Sequence, residues 1–239
     1  MDIDLRGWAR TSLIDFPGHI ATVLFTAGCN FRCPMCHNAD LVLRPRSLPP
    51  VAVSEVIDFL QQRAGKITGV VLTGGEPTLQ PGLGSLLTAV RDLGYAVKLD
   101  TNGYQPEVLT ELLDAGLLDY VAMDVKAPLP KYPLLAGIPD LKAERIERSV
   151  AELCRRRVPC ELRTTVVPEL LEPDDIEAIA RWIADREPQD KLSYVLQQFR
   201  SQGTLDPELR DVSPYPSTTL HKMADLARRW VQPVAVRGV

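Results

Sequence analysis

Cys29, Cys33 and Cys36 share one short stretch, Cys29-Asn30-Phe31-Arg32-Cys33-Pro34-Met35-Cys36-His37-Asn38, spaced C-x3-C-x2-C. Thiolates are soft ligands suited to iron–sulfur clusters or zinc. Three of them on one loop can hold three corners of a cubane and leave the fourth iron open. A structural zinc site instead needs a fourth protein ligand. Two blander readings stand beside the cluster: zinc completed by His37 or a distant cysteine, and a set of buried structural thiols. Zinc loops usually pair C-x2-C units, which this chain lacks. Cys154 and Cys160 lie far along the chain and read as small core residues.

Other polar groups recur at intervals. Thr73-Gly74-Gly75-Glu76-Pro77 reads as a turn, or as bare backbone brought close to a ligand with Glu76 accepting from an ammonium group. Asp100-Thr101-Asn102-Gly103 and Asp124-Val125-Lys126 supply two carboxylates and an amine. Carboxylate and backbone oxygens suit a hard cation, and Lys126 suits a carboxylate or ribose; ordinary ion pairs are the alternative. Arg163, between apolar neighbours, marks a partnered charge. Gln197 and Gln198 close a later apolar run, while His19 and His221 lack any nearby constellation.

The elements that must position these groups alternate. An apolar run over 20–26 predicts a strand leading into the cysteine loop, after the Pro17-Gly18 turn. Val53, Val56, Ile57 and Leu60 mark one helical face, and the β-branched run 67–72 predicts a buried strand. Helices near 83–93, 106–115, 141–157 and 174–185 then alternate with strands 95–100, 118–124, 160–167 and 192–199, before a polar loop 200–216 and a last helix near 217–231. These six strand-then-helix units predict parallel strands joined by right-handed crossovers. Six are too few for a closed eight-stranded barrel, so the predicted fold is α/β, a partial (βα)6 TIM-like barrel. The polar groups fall within or just after the strands, mostly at their C-terminal ends, the face that carries the site in such barrels.

Composition sets the outer bounds. A chain of 239 residues, 45% hydrophobic, can bury a full core, and nothing in it marks a linker. One domain over 1–239 is expected, with an N-terminal segment 1–19, a barrel core 20–199 and a C-terminal loop and helix 200–239. The net charge of −4 argues against nucleic acid as the main ligand. No run of eighteen apolar residues predicts a membrane span, and the first residues lack a signal-peptide layout. Five cysteines, mostly clustered, suit a reducing compartment, so a cytoplasmic protein is expected.

Taken together, C-x3-C-x2-C after the first predicted strand, Gly-Gly-Glu-Pro after the next and the six-unit barrel resemble the radical S-adenosylmethionine superfamily. The stretches Ser12-Leu13-Ile14-Asp15-Phe16-Pro17-Gly18, Gly28 to Asn38, Leu99 to Gly103 and Asp124-Val125-Lys126 look more specifically like glycyl-radical enzyme activases. Among these, the activating proteins of anaerobic ribonucleotide reductase are the nearest, and pyruvate formate-lyase activases are similar over the same stretches. The resemblance implies a 4Fe-4S cluster on Cys29, Cys33 and Cys36, with S-adenosyl-L-methionine chelating the open iron. It implies that Gly74, Gly75 and Glu76 receive the methionine amino group, that Lys126 and Arg163 contact the cofactor, and that His37 lies beside the adenine. Asp100, Thr101 and Asp124 match a monovalent-cation site, and Gln198 stands near a position where relatives carry a histidine. The implied activity is reductive cleavage of S-adenosylmethionine and formation of a glycyl radical on a partner enzyme. The implied reductant is a flavodoxin or ferredoxin. Competing readings are a small-molecule enzyme such as a 7-carboxy-7-deazaguanine synthase, and a non-catalytic iron–sulfur or zinc module.

Overall fold

A computed structural model describes residues 1–188 and 190–239. Eight strands form one mostly parallel sheet in chain order: β1 Leu5–Ser12, β2 Ala21–Thr26, β3 Gly69–Gly74, β4 Ala96–Thr101, β5 Tyr120–Asp124, β6 Cys160–Val166, β7 Leu192–Gln198 and β8 Val234–Arg237. The helices are α1 Ala39–Leu43, α2 Val53–Gln62, α3 Leu83–Asp92, α4 Pro106–Asp114, α5 Tyr132–Ala136, α6 Ala143–Arg155, α7 Pro173–Ala184 and α8 Ser217–Ala227. The fold class is the α/β one expected. Six expected strands become eight, because β1 and β8 were not foreseen. β1 alternates Arg6, Trp8 and Arg10 with small residues, so no apolar run announces it, and it pairs antiparallel with β2. β8 is only four residues long. The last helix stops at Ala227, four residues short of its expected end, where Arg228, Arg229 and Trp230 turn out of it. Among the described residues, no helix is long and apolar enough to cross a membrane.

The chain divides into two compact units. The first holds Met1–Asn30, Asp40–Thr101 and Gln105–Val121; the second holds Phe31–Ala39, Asn102–Tyr104 and Ala122–Val239. In the first, β2 pairs in parallel with β3 and β3 with β4, in a register that sets Thr26 opposite Gly74. Its core gathers Phe16, Ala21, Val23 and Val71, with Phe25 and Tyr120 packed on them. A Cβ at Gly69 would stand 2.7 Å from the Phe16 ring, so that glycine makes room for the aromatic anchor of the 12–18 turn. The turn is closed by the Ser12 hydroxyl, which accepts from the Ile14 and Asp15 amides and donates to the Asp15 carboxylate. In the second unit β6, β7 and β8 run parallel, with Val166 opposite Gln198 and Gln197 opposite Arg237. Tyr194 and Tyr132 are wholly buried there. Their hydroxyls donate to the Thr164 hydroxyl and the Asp124 carbonyl.

Candidate active site

In the first unit the end of β3 is zipped to the chain that follows β2. The Gly75 amide donates to the Thr26 carbonyl at 2.9 Å and the Glu76 amide to the Gly28 carbonyl at 2.8 Å. The Gly28 amide in turn donates to Leu41 at 2.9 Å. A Cβ on Gly75 would run into the Gly28 carbonyl, and one on Gly74 into the Thr26 backbone. Gly74 also sits at φ 120, where L side chains rarely go. The paired glycines thus let two backbone segments meet immediately before Cys29, a packing reason the sequence did not disclose.

Glu76 is buried, and its Oε1 accepts from the Thr78 amide at 3.1 Å, the Thr78 hydroxyl at 2.6 Å and the Thr101 hydroxyl at 2.7 Å. Three donors on one oxygen fix the direction of the carboxyl group. Thr101 comes from the end of β4, two residues beyond Leu99. Asp100 on the same strand pairs with the buried Lys98, whose Nζ lies 2.5 Å from its Oδ1.

In the second unit the later half of the cysteine loop is tied down on both sides. The Arg32 amide donates to Ala136, and the Leu205 and Asp206 amides donate to Cys36 and Pro34. Cys33 is buried and Cys36 half-buried, and among the described residues no cysteine is held in a disulfide. Burial pushes the Cys33 thiol up to about 11, against the pull of the Lys126 ammonium.

Asp124 at the end of β5 lies between two cations, Lys126 Nζ at 2.7 Å from Oδ2 and Arg163 Nε at 2.9 Å from Oδ1. Burial alone would raise its pKa, but Arg163 and Lys126 together hold the carboxyl well below the ordinary carboxylate range. Burial would likewise lower the Lys126 pKa, and the Asp124 charge outweighs it and holds the ammonium above its usual value.

Four of the expected residues meet around a cavity of about 300 Å³: His37, Asp124, Arg163 and Gln198 line it, joined by Thr165, Gln197 and Arg200. His37 Nε2 lies 2.7 Å from the Arg200 carbonyl, which fixes the ring. The Gln198 amide nitrogen donates to the Tyr215 carbonyl at 2.7 Å, whereas its Oε1 is buried with no hydrogen-bond partner among the described residues. A buried acceptor left so can take a donor from a ligand or an ordered water. A neighbouring cavity of about 670 Å³ shares His37, Gln198 and Arg200.

These residues fit the group the resemblance implies. In the first unit a close-packed glycine strand end and a donor-held carboxylate, and in the second two cysteine thiols, two cations and a buried amide oxygen, are each of the type that a zwitterionic nucleoside ligand and a thiolate-held cluster need. Among the described residues, no group of three or more His, Cys, Asp or Glu is arranged to hold a single ion. In a cubane each cysteine takes a different iron, so three ligands need not share one.

Thr78, Glu161, Arg200 and Arg237 were not foreseen. Only Glu161 left a trace, the alternation Glu161, Arg163, Thr165 that puts three polar residues on one face of β6.

A protein of Methanocaldococcus jannaschii, named a candidate glycyl-radical enzyme activating enzyme, is 33% identical over 98% of this chain and 96% of its own length. A 7-carboxy-7-deazaguanine synthase of Rhodopirellula baltica is 26% identical over 93% of this chain and 75% of its own length. Among solved structures, a domain of the pyruvate-formate lyase-activating enzyme from Bacteroides vulgatus superposes with a TM-score of 0.59 at 15% identity, covering 72% of this chain and 99% of that domain. That likeness shows a shared fold, the TIM-like barrel class expected. The Radical SAM superfamily model matches residues 23–183, two thirds of the sequence and every strand from β3 to β6, and the chain is a member of the radical SAM superfamily.

Proposed function

We propose that this protein activates a glycyl-radical enzyme, and that its partner is an anaerobic ribonucleotide reductase. The observation that carries the activase reading is the similarity to the Methanocaldococcus jannaschii protein across nearly the whole of both chains; the choice of reductase rests on the resemblance of the 12–18 and 28–38 stretches. The reading takes residues 1–239 as one radical SAM domain. Cys29, Cys33 and Cys36 hold the 4Fe-4S cluster, and Glu76, aimed by Thr78 and Thr101, accepts from the methionyl ammonium with the backbone at Gly74 and Gly75 beside it. Lys126 and Arg163 offset the negative charge of the cofactor carboxylate and orient its ribose. His37 lies along the adenine, and Gln198 Oε1 accepts from a hydroxyl or amine of the nucleoside. A reduced cluster held by Cys29, Cys33 and Cys36 would supply one electron for cleavage of S-adenosylmethionine to methionine and a 5′-deoxyadenosyl radical, the species able to take a Cα hydrogen from a glycine of the partner. The chain's own residues hold the nucleoside still and keep water from it. A monovalent cation would have to compete with Lys98 for Asp100 and with Lys126 and Arg163 for Asp124. A flavodoxin or ferredoxin of the cytoplasm suits the low potential such a cluster needs.

The test is anaerobic incubation of the reconstituted, reduced protein with S-adenosylmethionine and a candidate reductase, read by electron paramagnetic resonance. A glycyl doublet on the reductase is expected. Cofactor cleavage without a doublet on any glycyl-radical partner, together with formation of 7-carboxy-7-deazaguanine, would favour a second reading that the Rhodopirellula baltica similarity keeps in view.

A further inference from the structure

Behind the cavity the second unit carries a row of alternating charges that reaches the last strand: Lys126, Asp124, Arg163, Glu161, Arg237. Arg163 Nε lies 2.9 Å from Asp124 Oδ1, while its Nη1 lies 3.8 Å from Glu161 Oε1. Glu161 is 3% exposed, and Arg237 on β8 grips it with both guanidinium nitrogens, at 3.1 and 2.8 Å. One guanidinium therefore stands between two carboxylates. It lies at hydrogen-bond distance from Asp124, while the other carboxylate is held bidentately by Arg237.

We propose that Arg237 and Glu161 are positioning residues that set the Arg163 guanidinium at the cavity wall, making the C-terminal strand part of the cofactor site. The inference rests on the reading above, in which Arg163 faces S-adenosylmethionine. The physical logic is competition. Without Arg237, the buried Glu161 has a strong demand for a cation, and Arg163 is the cation next to it. Closing the 3.8 Å gap to hydrogen-bond length would draw the guanidinium about 1 Å from its place beside Asp124. With the Glu161 charge removed as well, that pull disappears and Arg163 returns to Asp124.

Binding of S-adenosyl-L-homocysteine to the anaerobically reconstituted holoenzyme, followed by isothermal titration, tests this. Arg237→Ala should weaken binding about tenfold, within the range measured for coupled charges. The double variant Glu161→Gln/Arg237→Ala should recover to within about twofold of the unaltered protein. A strand weakened only structurally would not be rescued by a second loss, so recovery separates positioning from support; thermal unfolding of each variant confirms that it folds. Unchanged affinity in Arg237→Ala, or a double variant as weak as the single, overturns the proposal. Arg163→Ala tests the underlying reading by itself. If that variant binds as tightly as the parent, Arg163 does not face the cofactor and both ideas fall. If it binds weakly while Arg237→Ala is unaffected, only the positioning role falls.

Discussion

Glu76 shows how a single carboxylate is made useful. Its Oε1 is held by Thr78 and Thr101, so the group is aimed before any ligand arrives. Glu76→Ala leaves those donors unanswered in a buried place and should cost about 1–3 kcal/mol of stability, read by urea unfolding. It should also weaken S-adenosylmethionine binding in a calorimetric titration; unchanged affinity would remove Glu76 from the site. Thr101→Val keeps the charge and loosens its aim, so a smaller loss of affinity is expected. Cys33→Ala should abolish formation of 5′-deoxyadenosine by the reconstituted protein while its far-ultraviolet dichroism stays that of the parent. Full cleavage activity in that variant would sink the cluster assignment.

At the scale of elements, strand ends are what the fold supplies. The end of β3 and the chain after β2 approach so closely that Gly75 has no room for a side chain. Gly75→Ala should therefore cost more than about 3 kcal/mol, because the obstacle is the Gly28 backbone, which cannot swing aside as a side chain would. Gly94, after α3, is a useful contrast: it sits at φ 84 with open space around it. Gly94→Ala should cost only the about 1–2 kcal/mol of a left-handed alanine. Comparable chemical-denaturation midpoints for the two variants would contradict the steric account. The strands also share a device. β4 carries Lys98 and Asp100, the end of β5 leads through Asp124 to Lys126, and β6 carries Glu161 and Arg163, each an ion pair two residues apart. Residues so spaced lie on one face of a strand, and on β6 that face also carries the cavity residue Thr165.

For the molecule as a whole, the charges of the second unit predict how stability follows pH. The Asp124 carboxyl is held below its ordinary range by Arg163 and Lys126, which outweigh its burial. A group whose folded pKa is depressed adds stability that is present above its unfolded pKa and lost as pH falls toward the folded one. Stability should therefore hold from neutrality to about pH 4 and decline below it. Asp124→Asn should be less stable at neutral pH and show a shallower decline over the acid range, in urea titrations run at successive pH values. An acid slope identical to that of the parent would show that the pair adds nothing. The fold class, the six strand-then-helix units and the strand-end placement of the polar groups were all readable in advance, because helical and strand periodicities are local properties of the chain. β1 and β8 were not, since short or polar edge strands gain their order from the neighbour they pair with.

By itself the sequence determined the chemistry: three thiolates at cluster spacing, a glycine pair before a carboxylate, and charged residues at successive strand ends. Ligand type and face periodicity are written in residue order, so these needed no coordinates. Only the tertiary structure decided who restrains whom. Thr78 and Thr101 fix Glu76, Gly75 clears the Gly28 carbonyl, and Arg237 answers Glu161 so that Arg163 can stand beside Asp124. Those partners lie as many as 76 residues apart. The reason is physical: a buried charge takes its place from whichever counter-charges packing brings within hydrogen-bond reach, and no local pattern encodes that distance.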